Sequence, residues 1–192
     1  MHKGQCKVGK TETEFNCPKI DDDHDYNWGY VATVDGLLFG SSVRSGNFYN
    51  DGRGPWYDDS GFNNAQDSHK VLSDCLFAVD LAGNSQAWKY NGVIINSTIA
   101  IGGDQIYFVE NRNPKVLQDK SRRLSGGKEW MALYLVALDV KTGKPVWEKG
   151  MQFEQRTPVF FSTYKEDILM LLRSSTKSFD LRAIDAKSGK LM

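Results

Sequence analysis

The chain has 192 residues, with 24 Lys+Arg balanced by 24 Asp+Glu, 40% hydrophobic and 12% aromatic residues. That is the composition of an ordinary folded domain, and a formal net charge of zero removes the basic footprint with which duplex-binding proteins neutralise phosphates, so no nucleic-acid partner is expected. The apolar run Met131 to Leu138 falls far short of the ~18–20 residues that a membrane-spanning helix needs, and no membrane span is expected either.

From the N-terminus, Met1 to Lys7 lead into polar sequence, so no secretory leader is expected in this chain. Cys6, Cys17 and Cys75 are too few for a disulfide scaffold, and none stands in a Cys-x-x-Cys pair, which leaves structural zinc and haem attachment without support. A Cys6–Cys17 bridge suits an oxidising compartment; otherwise the thiols are free, with Cys75 buried in a strand. Asp21, Asp23 and Asp25 stand at a spacing of two, which suits oxygen ligation of calcium, with His24 joining only for a transition metal. Tyr26 and Ala32 occupy the positions where an EF-hand needs its turn glycine and its bidentate acid, so a solvated acidic loop is the competing reading.

Tyr30 to Ser41 reads as strand, Asp35-Gly36 turn, strand. The insertion 44–70 follows, carrying Phe48, Tyr49, Trp56, Tyr57 and Phe62 among five glycine and proline residues, with Arg44, Arg53, Asp58 and Asp59. Aromatics and arginine in a Gly-rich loop suit a binding surface; the alternative is a lid covering the protein's own side. His69 with Asp67 or Asp58 can be drawn as an acid–base pair, but no nucleophile accompanies it. Thr98 to Val109 repeats the strand–turn–strand scheme around Gly102-Gly103-Asp104, and the insertion 111–128 brings Arg112, Lys115, Lys120, Arg122, Arg123 and Lys128 together as a basic patch. Such a patch reads as a solvated loop or as a dock for an acidic partner. Asn96-Ser97-Thr98 matches a glycosylation sequon that matters only in a eukaryotic secretory setting. Thr157 to Leu172 gives the scheme a third time, with a longer turn.

Three further segments align as Ala-x-Asp-x-x-x-Gly/Asn-x-x-x-Trp. They are Ala78, Asp80, Asn84, Trp88; then Ala137, Asp139, Gly143, Trp147; then Ala183, Asp185, Gly189, with the chain ending before a third Trp. The Asp is expected to bond the backbone of the turn after a strand, and the Gly or Asn to supply its positive φ. The Trp is expected to lie on a neighbouring unit, which would explain the small, repeated Ala. The motif recurs roughly every 45–60 residues, near the ~40–50 of one four-stranded propeller blade.

At these residues, Leu135 to Glu148 above all, the sequence resembles the pyrroloquinoline quinone (PQQ) repeat of quinoprotein alcohol dehydrogenases and of the lipoprotein of the outer-membrane β-barrel assembly machine. Trp28 to Val43 looks like a bacterial PQQ-binding-like group. The resemblance implies an all-β, partial β-propeller of four-stranded antiparallel blades, about three repeats in an open arc. Blades are expected at about 30–90, 91–148 and 149–192, the last truncated, with 1–29 as an extension or the remnant of a preceding blade. Since ~4–8 blades close a ring, a fragment of a longer propeller is expected, partnered by its remaining blades or domains.

The leading functional expectation is a scaffold that binds a protein partner or small ligand, without evident catalytic machinery. The alternative is part of a quinoprotein oxidoreductase, to which the resemblance would bring PQQ and calcium; Arg44, Arg53, Trp56, Asp58 and Asp59 are then the candidates around the cofactor. No cofactor is established by the residues themselves, and the adjacent cysteines of many such dehydrogenases are absent. The resemblance also implies a periplasmic or other extracytoplasmic location.

Overall fold

The computed structural model describes residues 4–8, 11–45, 70–120, 122–124, 127–151, 160–174 and 178–192. In chain order the strands are β1 (Gly4–Val8), β2 (Thr11–Phe15), β3 (Tyr26–Val34), β4 (Leu37–Arg44), β5 (Lys70–Asp80), β6 (Ser85–Gly102), β7 (Gln105–Asn111), β8 (Arg123–Leu124), β9 (Leu133–Asp139), β10 (Pro145–Met151), β11 (Phe160–Lys165), β12 (Ile168–Ser174) and β13 (Phe179–Asp185). The helical content is α1 (Pro114–Gln118) and a 3₁₀ turn, Gly127–Trp130.

Every pairing is antiparallel, and the strands fall into serial meanders. Blade 1 runs β3, β4, β5 and the first half of β6; blade 2 runs the second half of β6, β7, β9 and β10. Blade 3 runs β11, β12 and β13, with Leu191 bridging Ile184. The fold is an all-β, partial β-propeller, an open arc of blades. β6 runs unbroken across the expected blade boundary near residue 90: it leaves blade 1 as an outer strand and enters blade 2 as an inner one.

The period of two places the cores between blades. On β9, Val136 and Leu138 face blade 1, while Leu133, Leu135 and Ala137 face blade 3. On β5, Leu76 and Ala78 join Phe39, Ile106 and Phe108 between blades 1 and 2. The other face of β5, with Cys75, Phe77 and Val79, is covered by Phe15, Cys17 and Ile20 from the N-terminal segment.

The hairpins between the first two strands of each blade carry paired positive-φ residues: Asp35 and Gly36, Gly103 and Asp104, Glu166 and Asp167. These are the mirror-image turns that match strand twist. The third is a two-residue turn like the others, not the longer one read from the sequence, because Lys165 pairs directly with Ile168. It has no glycine; the Tyr164 hydroxyl, donating to Asp167 Oδ1 at 2.9 Å and accepting from the Asp167 N–H at 3.2 Å, holds it closed.

The repeated motif acts twice. Its Asp fastens the turn: Asp80 accepts from the N–H groups of Ala82 and Gly83, Asp139 from Lys141 and Thr142, and Asp185 from Ser188. Its Trp fastens the next blade. The Trp88 indole N–H donates to the Val140 carbonyl at 2.9 Å, and its ring lies on Gly143 (φ +66°), where a Cβ would sit 2.5 Å from the indole. Trp147 repeats this on Ala186 and Gly189 (φ +68°), with a Cβ 2.7 Å from its ring. The residue covered in the neighbouring blade is therefore the glycine. The small Ala78 and Ala137 are instead the in-register strand partners of Trp88 and Trp147 within the same blade.

Candidate functional site

A meander sends its connections alternately to opposite ends. The tight hairpins gather at one end of the blades, and the connections β4 to β5 and β7 to β9, the two long insertions, emerge at the other. Variable loops on a rigid sheet are where binding groups concentrate. Of the proposed cofactor residues, Arg53, Trp56, Asp58 and Asp59 lie outside the described residues, as do His69 and Asp67.

Arg44 closes β4 and is buried. Its Nε donates to Asp74 Oδ2 at 2.6 Å, and Arg122 Nε donates to Asp74 Oδ1, also at 2.6 Å. Asp74, buried on β5, thus joins blade 1 to the insertion of blade 2, and β8 strengthens the join by pairing Arg123 and Leu124 with Val71 and Lys70. Arg122 reaches further: its Nη1 donates to the carbonyls of Val116 and Leu117 at 2.6 and 2.7 Å, in the last turn of α1, where Val116 also accepts the Asp119 N–H. The start of α1 is capped by Asn113 Oδ1, which accepts the Lys115 N–H at 3.0 Å, while Asn113 Nδ2 and Asn111 Nδ2 donate to the carbonyls of Lys128 and Glu129.

The described residues of the insertion read as a basic loop are therefore folded back onto blades 1 and 2. Arg112 is held between Glu110 and Glu148, with its guanidinium 4.2 Å above the Tyr134 ring, and Arg122 is spent on Asp74. Lys115, Lys120 and Lys128 are left exposed.

The acidic run joins the same network through Asp21. His24 Nδ1 lies 2.8 Å from Asp21 Oδ1, and Arg44 Nη1 lies 3.2 Å from His24 Nε2. A guanidinium can only donate, so Nε2 accepts and the ring proton sits on Nδ1, donating to Asp21. The Tyr26 hydroxyl is within reach of Asp21 Oδ2 at 3.1 Å and Asp74 Oδ2 at 3.2 Å. The His24 hydrogen bond, then that of Tyr26, holds Asp21 below the usual carboxylate range. Asp23 and Asp25 are exposed, and Asp25 faces Lys19 at 3.3 Å. Asp21, Asp23 and Asp25 do not converge, and among the described residues no group of three or more His, Cys, Asp or Glu is placed to hold a metal. Sequence reasoning missed Asp74, Tyr26 and Arg122 as a set; the one local signal was a carboxylate inside the apolar stretch Val71 to Phe77.

Beneath this network lie Cys17 and Cys75, both free thiols. The Ser42 hydroxyl accepts from Cys17 Sγ at 3.0 Å and from Cys75 Sγ at 3.2 Å, and donates to the Pro18 carbonyl at 3.0 Å. Burial pushes both thiols up to about 11. An unfolded thiol titrates near 9.0, so between that pH and about 11 the native state keeps protons that the unfolded state has lost. Stability is complete below the unfolded pKa and falls as pH rises toward the folded one, by on the order of 2 kcal/mol for Cys75. Urea unfolding at about pH 8 and pH 10.5 should show this loss, and Cys75→Ala should reduce it to the share that Cys17 contributes; an unchanged pH dependence in the variant would show that the Cys75 thiol is not a source of it.

No family model matches the chain, and no curated protein does. Among solved structures it is similar to the quinohemoprotein alcohol dehydrogenase from Comamonas testosteroni, at 15% identity and a TM-score of 0.46 over 84% of this chain and 19% of that one. It is similar to BamB from Moraxella catarrhalis, at 15% identity and a TM-score of 0.44 over 85% and 47%. It is also similar to the exotype rhamnogalacturonan lyase YesX, at 15% identity and a TM-score of 0.52 over 100% and 35%. Only the last is close enough to speak for the fold, and it speaks for the fold alone. The chain spans less than half the length of each of these structures. No helix among the described residues is long and apolar enough to cross a membrane.

Proposed function

We propose that the chain is a segment of a PQQ-like propeller that serves as a binding scaffold, presenting its two insertions at one end of the blades to a protein partner or small ligand. The observation that carries this reading is the Arg44–Asp74–Arg122 bridge, which spends its charges on rooting both insertions in one rigid base. Arg44, a candidate for contact with a cofactor, is engaged inside the protein, and His24 has both ring nitrogens committed. The exposed Lys115, Lys120 and Lys128 suit an acidic partner. Remaining blades of a longer protein and an extracytoplasmic location belong to the same reading, through the repeat resemblance.

The oxidoreductase alternative demands a quinone and a calcium shell, so the two readings separate in one titration. Calorimetry and absorbance of the 192-residue chain with PQQ, with and without calcium, should give no saturable binding. Calcium-dependent binding near one equivalent would overturn the scaffold reading in favour of a quinoprotein site.

A further inference from the structure

The N-terminal segment and blade 1 meet at a pair of sulfurs that the sequence does not pair. We propose that Cys17 and Cys75 form a disulfide site, oxidised by thiol–disulfide exchange with a low-molecular-weight or protein disulfide. Both thiols contact one hydroxyl, that of Ser42, so the sulfurs lie no farther apart than those two contacts laid end to end. Cys75 is fixed in the middle of β5, paired with Ser42 on one side and Asn91 on the other. Cys17 is different: residues 16–19 belong to no strand or helix, so its backbone can move without breaking a ladder. It is also the more accessible sulfur, since Cys75 is fully buried. The Ser42 hydroxyl, whose proton goes to the Pro18 carbonyl, must be displaced from between the sulfurs, and Cys17 gives up its 3.5 Å contact with the Asn27 carbonyl.

The exchange balances in two steps. The Cys17 thiolate attacks one sulfur of the oxidant disulfide, forming a mixed disulfide and expelling one thiolate. The Cys75 thiolate then attacks the Cys17 sulfur and expels the second. The protein loses two protons and two electrons, and the oxidant leaves as two thiols. Because both protein thiols are deprotonated only at alkaline pH, the rate should climb steeply with pH. The product pins Phe15, Cys17 and Ile20 over the Leu38, Phe77 and Val79 face of blade 1, where they pack beside Trp28 and Leu81. This device is independent of what the insertions bind.

The test uses the whole chain carrying Cys6→Ser, so that two thiols remain, exposed to oxidised glutathione at about pH 9 and then digested for mass spectrometry. The expected result is a mass loss of two hydrogens, a peptide linking residues 17 and 75, and no alkylatable thiol after unfolding. The midpoint of thermal unfolding should also rise by several degrees over the reduced protein and fall back on reduction. In Cys17→Ser on the same background, the oxidant should leave that midpoint unchanged. Persistent glutathione adducts, disulfide-linked dimers, or two thiols still open to alkylation after unfolding would each overturn the proposal.

Discussion

Replacing Trp88 by alanine is expected to cost about 3–5 kcal/mol of folding stability, the range for removing a large, closely packed aromatic. The indole is almost completely buried, leans on Phe39 with centroids 5.9 Å apart, and spans the seam between blades 1 and 2. Truncation opens a cavity between the blades and leaves the Val140 carbonyl without its donor. Trp147→Ala should cost less, because that ring is only half-buried and Tyr164 and Tyr107, stacked at 5.8 Å, also join blades 2 and 3. Denaturant unfolding of the two variants gives the comparison. An equal or reversed order would mean that the ring on Gly143 is not what holds the first seam.

Asp74→Ala is expected to be comparably severe, about 3–5 kcal/mol, because it leaves two largely buried guanidinium groups without their shared carboxylate. Tyr26 also loses one of its two acceptors. Loss of the bridge frees the insertion of blade 2 from blade 1, so limited proteolysis at Lys120 should quicken together with the fall in stability. Removing the whole triad, as Arg44→Met, Asp74→Leu and Arg122→Met, should recover much of that loss, since no buried charge is left unpaired and the partly exposed Asp21 keeps its hydrogen bonds from His24 and Tyr26. If Asp74→Ala alone were neutral, the bridge would not be the base on which the insertions stand.

The blade latch was legible in the sequence, and the ion bridge was not. The Asp, the Gly or Asn, and the two Trp of the repeats act locally or on the equivalent position of the next unit, so their spacing exposed both the turns and the blades. The partner of the indole was misread because Ala and Gly are both small; only the crossing of the ring onto the next blade shows that Gly143 must lack a Cβ as well as adopt positive φ. The third hairpin looked longer because Glu166-Asp167 lacks glycine, and the compensating Tyr164 hydroxyl is not a turn signal. The ion bridge was invisible: Arg44, Asp74 and Arg122 come from β4, β5 and the segment before β8, and no period or motif links them. For the same reason the basic insertion looked solvated, although two of its arginines are turned inward.

The most direct test of blades latched in series is a double-mutant cycle between Trp88 and Gly143. Gly143→Ala alone should cost about 2–4 kcal/mol, from positive φ and from the methyl driven into the indole. In the Trp88→Ala background only the backbone cost of ~1–2 kcal/mol should remain, giving a coupling of at least about 1 kcal/mol. Strictly additive losses would contradict the latch, and with it the docking of blade 1 on blade 2 through Trp88.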